Sequence, residues 1–323
     1  MNTTVTTAHT FGRVARTALT GLALAGLGLA AQPARAQSVL ADSIFDYTQN
    51  IQAFNGWEYG YNRTDNSSPF LRYSNFGTLF GAASGPVGWY TPLNAFPNAY
   101  STFLDQLGGR TASPSSNVDV YPVRRWTDTS YAGWAVVRGD YAHRSSFLSS
   151  LYTRATVVLR SSASGTGVPI TVGGQSILIS HLDNQIRPYA YLVKLAKNNV
   201  LDFTLDPFDN DNDDFARFTG VVDKNYAPVI YVPPVIKVGQ TVSAYVKLPG
   251  MATDQTGPIA FTLSSSVAGV VSTEAGGSIG VGGTQGGFHV KGLSVLSATN
   301  VSVKATFPLL GNKTVSVSVK VVP

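Results

Sequence analysis

Between Val301 and Val322 the chain alternates with a period of two. Val301, Val303, Ala305 and Phe307 alternate with Ser302, Lys304 and Thr306. Val315, Val317, Val319 and Val321 alternate with Ser316, Ser318 and Lys320. Successive side chains of an extended strand point to opposite faces, so the pattern places one set in a core and the other in water. Between the runs, Pro308-Leu309-Leu310-Gly311-Asn312-Lys313 carries Gly-Asn turn chemistry and joins them as a hairpin. Val242, Ala244, Val246 and Leu248 form a third alternating set. Phe261 and Leu263 open a fourth strand, and Phe288 and Val290 a fifth. Such spacing predicts a small β-sandwich.

Further strands are expected upstream, at Thr156 to Arg160, Gln175 to Ser180, Tyr189 to Leu195 and Leu201 to Asp206. Short helices fit only around Thr102 to Leu107 or Ser145 to Tyr152. Pro69 to Pro122, with six prolines and many glycines, reads as long loops decorating a sandwich. The break between the two halves falls near Ala227 to Gly239, where Pro228, Pro233 and Pro234 favour an extended, stiff connector. All four tryptophans, Trp57, Trp89, Trp126 and Trp134, precede it.

Val238-Gly239-Gln240-Thr241-Val242, then Ile259 to Ser266, then the closing hairpin, resembles the bacterial Ig-like repeats of surface and secreted proteins. That resemblance spans residues 229 to 323 and implies a spacer or adhesive module. Asn55-Gly56-Trp57-Glu58-Tyr59-Gly60-Tyr61, then Val123-Arg124-Arg125-Trp126-Thr127, then Ala132 to Gly139 and an Asp-rich turn, is similar to N-terminal jelly-roll modules of large secreted proteins of environmental bacteria. Such modules are lectin-like or carbohydrate-binding by fold analogy, which does not by itself deliver function. Trp134 departs from the sheet-face pattern expected there. The expected fold is therefore all-β, a jelly-roll-type β-sandwich over residues 37–227 followed by a smaller Ig-like β-sandwich over 228–323.

Residues 1–36 read as a removable leader. Arg13 and Arg16 precede an apolar run from Ala18 to Ala31, and Ala34-Arg35-Ala36 supplies the small residues of a cleavage site. The run is shorter than the roughly 20 apolar residues of a membrane span. A secreted, extracellular or periplasmic protein without a membrane span is expected. The formal charge of +5 loses Arg13, Arg16 and Arg35 with the leader, leaving 20 basic against 18 acidic residues. A basic nucleic-acid surface is not implied. The charge is uneven: 14 basic against 16 acidic residues from Gln37 to Ala227, then six lysines against Asp254 and Glu274. The chain holds no cysteine, which excludes disulfides, thiolate metal sites and a cysteine nucleophile and fits a bacterial export product.

Trp57, Tyr59, Tyr61, Trp89 and Tyr90 are candidates for a sugar-stacking platform. The competing reading is core packing, which is favoured for Trp57 because large aromatics bury well, while the Gly/Pro surroundings of Trp89 and Tyr90 leave the choice open. Asp206, Asp209, Asp211 and Asp213 lie in a dense acidic turn that suggests a structural calcium ion. Asp214 and Gly220 stand where an EF-hand needs Gly and Glu, so an EF-hand is rejected, and a solvated acidic turn is the competing reading. Ser180-His181-x-Asp183 is no catalytic set, since neighbours on a strand face opposite ways. His143, His181 and His289 are scattered over both halves. Glu58 is one candidate carboxylate for a polysaccharide hydrolase or lyase, which needs two. The expectation is a non-catalytic protein of extracellular recognition or adhesion, with polysaccharide or envelope components as partners. The alternatives are that hydrolase or lyase, and a purely structural envelope component.

Overall fold

A computed structural model describes residues 38–49, 51–63, 70–78, 86–91, 102–115, 118–144, 152–207 and 215–323. The leader expected over residues 1–36 therefore lies outside the described residues. From Ser38 to Pro323 they belong to one compact unit. It is all-β, built as packed sheets; the helical element among the described residues is the 3-10 turn Pro308–Leu310.

Two large sheets face each other upstream of residue 224. The first, nine-stranded, runs in the order Val39–Asp42, Val221–Asp223, Gly133–His143, Phe215–Phe218, Gly108–Arg110, Phe103–Leu104, Val87–Tyr90, Asn75–Thr78. Strand Arg187–Leu195 also pairs with Gly133–His143. The second, eight-stranded, runs Gly167–Ile170, Tyr152–Arg160, Val200–Asp206, Val118–Thr127, Trp57–Arg63, Leu71–Arg72. Ile177–Ser180 and Ala112–Ser115 pair from the side. Their inner faces enclose Trp57, Tyr59, Trp89, Val137, Tyr189 and Phe203. The stretch read as loops from Pro69 to Pro122 instead supplies several short strands of both sheets. Glycine allows this: a Cβ on Gly88 would stand 2.4 Å from the Leu104 carbonyl, and one on Gly108 1.9 Å from that of Ala216. The segment expected as a helix from Thr102 is the strand Phe103–Leu104, followed by a turn in which Asp105 Oδ1 accepts from the Leu107 and Gly108 amides, each at 2.8 Å. The other helix expectation lies mostly outside the described residues, and Tyr152 at its end begins a strand.

The downstream sandwich pairs a four-stranded sheet (Val229–Tyr231, Thr241–Lys247, Gln285–Gly292, Val271–Thr273) with a five-stranded one (Val235–Lys237, Lys313–Val322, Thr299–Phe307, Ile259–Ser265, Gly276–Ile279). The hairpin forms as its alternation requires, with Phe307 opposite Lys313, Val303 opposite Val317, and Gly311 and Asn312 both at positive φ. The proline-rich stretch is no free connector. Val229–Tyr231 pairs antiparallel with Thr241–Lys247, Val235–Lys237 pairs parallel with Lys313–Val322, and Pro233-Pro234 crosses between the two sheets. Both strands are sheet edges, and Pro228, Pro233 and Pro234 lie just outside them, where no ladder N–H is needed.

Trp134 finds its reason here. On strand Gly133–His143, Ala135 and Val137 point into the upstream core. Trp134 and Val136 point the other way and join Leu192, Val246, Phe261 and Phe307 in the downstream core. The strand is covered on both faces, so its apolar run is continuous instead of alternating. Asp254 adds a polar tie, accepting from Thr171 Oγ1 at 2.6 Å and from the Gly173 and Gly174 amides at 3.1 and 2.8 Å.

Candidate ligand-binding surface

The candidate sugar platform of the first half does not assemble at the surface, and the core-packing reading favoured for Trp57 holds. Trp57 and Tyr59 are 0 % exposed and Trp89 4 %. Their rings pack on each other and on the core, Tyr59 stacked on Trp89 at 5.9 Å and Trp57 against Phe203 at 5.6 Å. A ring without a free face cannot stack on a sugar. Tyr61 is half-buried, with Tyr73 at 5.4 Å, and half-buried Tyr90 lies over Gly77. In the acidic turn, Asp206 is ion-paired with Arg154, while Asp209, Asp211 and Asp213 lie outside the described residues. Among the described residues no three His, Asp or Glu side chains group as metal ligands.

The other candidates are engaged separately. Glu58 pairs with Arg72, and Asp202, two strands away in the same cross-strand row, is buried between Arg125 and Arg160. Asp183 pairs with Arg187, and His181 Nε2 meets Thr153 Oγ1 at 2.9 Å. His143 and His181, far apart in sequence, are brought together: their buried rings stack at 4.4 Å. His289 stays apart and pairs with Glu274 at 2.9 Å. A mainly apolar cavity of about 190 Å³ is lined by Trp134, Ile170, Val193 and Leu309 together with the polar Lys194, Thr253, Gln255 and Thr256.

Phe45, Phe54 and Tyr152 are exposed in the upstream half, and a stacked aromatic pair lies on the outer face of the four-stranded sheet in the downstream half. Tyr231 is directly opposite Tyr245, and the rings stack with centroids 5.1 Å apart and planes 24° from parallel. Tyr231 is 49 % exposed. Next in the same cross-strand row, opposite Tyr245, is Gly287, with no atom closer to its Cβ position than the Ala244 carbonyl at 4.0 Å. The neighbouring row holds Val229, Lys247 and Gln285. On the other side come Ser243 opposite His289, then Thr241 opposite Lys291. The alternation that buries Ala244, Val246, Phe288 and Val290 turns all of these outward. Two stacked rings in a flat, polar, hydroxyl-bearing field suit the apolar face of a sugar ring.

In the sequence, tryptophan density points to the upstream half and away from this surface. The signal was nevertheless present: in Ser243-Ala244-Tyr245-Val246-Lys247 the tyrosine falls in the polar register. No protein-family model matches the chain, and no curated protein matches it.

Proposed function

We propose that this is an exported, non-catalytic recognition protein of the bacterial cell exterior that holds polysaccharide. In this reading a jelly-roll-type sandwich carries an Ig-like one, and the leader of residues 1–36 delivers both outside the cytoplasm. The observation that carries it is the stack of exposed Tyr231 on half-buried Tyr245 beside the unfilled position at Gly287. Buried aromatics stabilise a core; a solvent-facing stacked pair in a polar sheet face gains most when a third flat, partly apolar surface covers it. The hydrolase or lyase alternative draws no comparable support, since Glu58 and Asp202 are each held by arginine and present no free carboxyl pair.

The test is retention of the purified protein on a panel of insoluble polysaccharides, with product analysis of the supernatant. Retention without products, lost in Tyr231→Ala/Tyr245→Ala at an unchanged unfolding midpoint, is the expected result. New reducing ends would favour the enzyme. Absence of retention on every member would leave a structural envelope role and overturn the reading.

A further inference from the structure

We infer that the Tyr231–Tyr245 face takes an acidic polysaccharide, a chain bearing carboxylates at intervals, laid along the strand direction across Gly287. The inference rests on the polysaccharide reading above and adds its chemical class. Its first support is shape. Opposed residues stacked at 5.1 Å, close to the spacing of neighbouring strands, set their ring planes across the row. The far side of Tyr245 then looks toward Gly287, where no side chain closes the row. A sugar ring over Gly287 continues the stack as its third member.

The second support is charge. Lys247 and Lys291 both point outward from this face and, from the register, stand six residues apart along it, about 20 Å in an extended strand. Among the described residues neither lysine makes an ion pair. The two acids of the downstream half are both engaged, Glu274 with His289 and Asp254 with Thr171, Gly173 and Gly174. A ligand laid along the strand direction thus meets an aromatic stack flanked by two lysines that pair with no carboxylate among the described residues. Carboxylates carried at intervals along a sugar chain complement those two lysines in charge.

Polygalacturonate and its methyl ester make a matched pair of probes, the same chain with and without charge. Affinity electrophoresis of the purified protein should show binding to polygalacturonate that weakens at high salt and falls at least tenfold on esterification. Lys247→Gln/Lys291→Gln should weaken it about fivefold and flatten its salt dependence. Gly287→Thr should abolish it without lowering the unfolding midpoint, since threonine suits an exposed strand position better than glycine. Equal binding of ester and acid, or binding confined to neutral glucans, overturns the acidic class while the polysaccharide reading stands. Tighter binding of single-stranded DNA than of polygalacturonate overturns it in favour of a nucleic acid. Failure of every polysaccharide in the panel removes the underlying reading itself.

Discussion

The indole Nε1 of Trp134 donates to the Leu309 carbonyl at 3.1 Å, joining the first sandwich to the turn that closes the last hairpin of the second. Truncation to alanine should cost about 3–5 kcal/mol, through the lost packing and the vacated space. Trp134→Phe keeps most of the packing and leaves the carbonyl unpaired, for a smaller loss of about 1–3 kcal/mol. The remaining tryptophans all lie upstream, so fluorescence follows the first sandwich while circular dichroism follows both. The two unfolding curves should coincide in the parent and separate in Trp134→Ala.

Arg124 is a buried cation held by neutral acceptors. Its guanidinium donates to the Phe218 and Gly108 carbonyls at 3.2 and 3.3 Å, to Ser43 Oγ at 3.3 Å, and to the Asp105 carbonyl. Burial pulls its pKa below the usual arginine value, partly offset by the nearby Asp105 charge. Arg124→Leu strands these acceptors and should destabilise by about 3–5 kcal/mol in denaturant titration. Arg124→Lys should restore only part of it, since an ammonium lacks the planar fork.

Asp140 sets an acid limit on the nine-stranded sheet. Burial pushes its carboxyl up, but hydrogen bonds from Arg217, at 2.6 and 2.9 Å, and from Thr219 Oγ1, at 2.7 Å, outweigh it and hold the pKa below the ordinary value. A carboxyl depressed in the folded state contributes stability that is fully present above the unfolded value of about 3.9 and fades as pH falls toward the folded one. Asp140→Asn should therefore lose about 1 kcal/mol at neutral pH and progressively less as pH falls below about 3.9, with denaturation followed across that range.

Tyr90 and Tyr245 separate the two aromatic surfaces. Tyr90→Ala should leave polysaccharide retention unchanged, whereas Tyr245→Ala should reduce it about tenfold by removing one stacking face. Binding constants from the same electrophoretic assay decide it, and the opposite ranking would return the site to the upstream half.

The Thr299–Phe307 and Lys313–Val322 strands were legible because each is buried on one face only, so hydrophobicity alternates at the period of the backbone. The same logic failed for Gly133–His143, whose two faces meet two different cores. It also failed for the short strands near Gly88 and Gly108, which are held by close backbone approach and leave little side-chain pattern. The core packing favoured for Trp57 from its size holds, whereas the burial of Trp89, left open by its Gly/Pro surroundings, follows from the sheet that covers it.

From its sequence alone, the chain determined its all-β class, its lack of cysteine and the basic balance of its downstream half, because period, composition and charge are local properties. Only the tertiary structure decided that Tyr231 stacks on Tyr245 beside an unfilled Gly287, and that His143 meets His181. Cross-strand neighbours are set by register between segments distant in sequence, and register is fixed by the packing of the whole sheet.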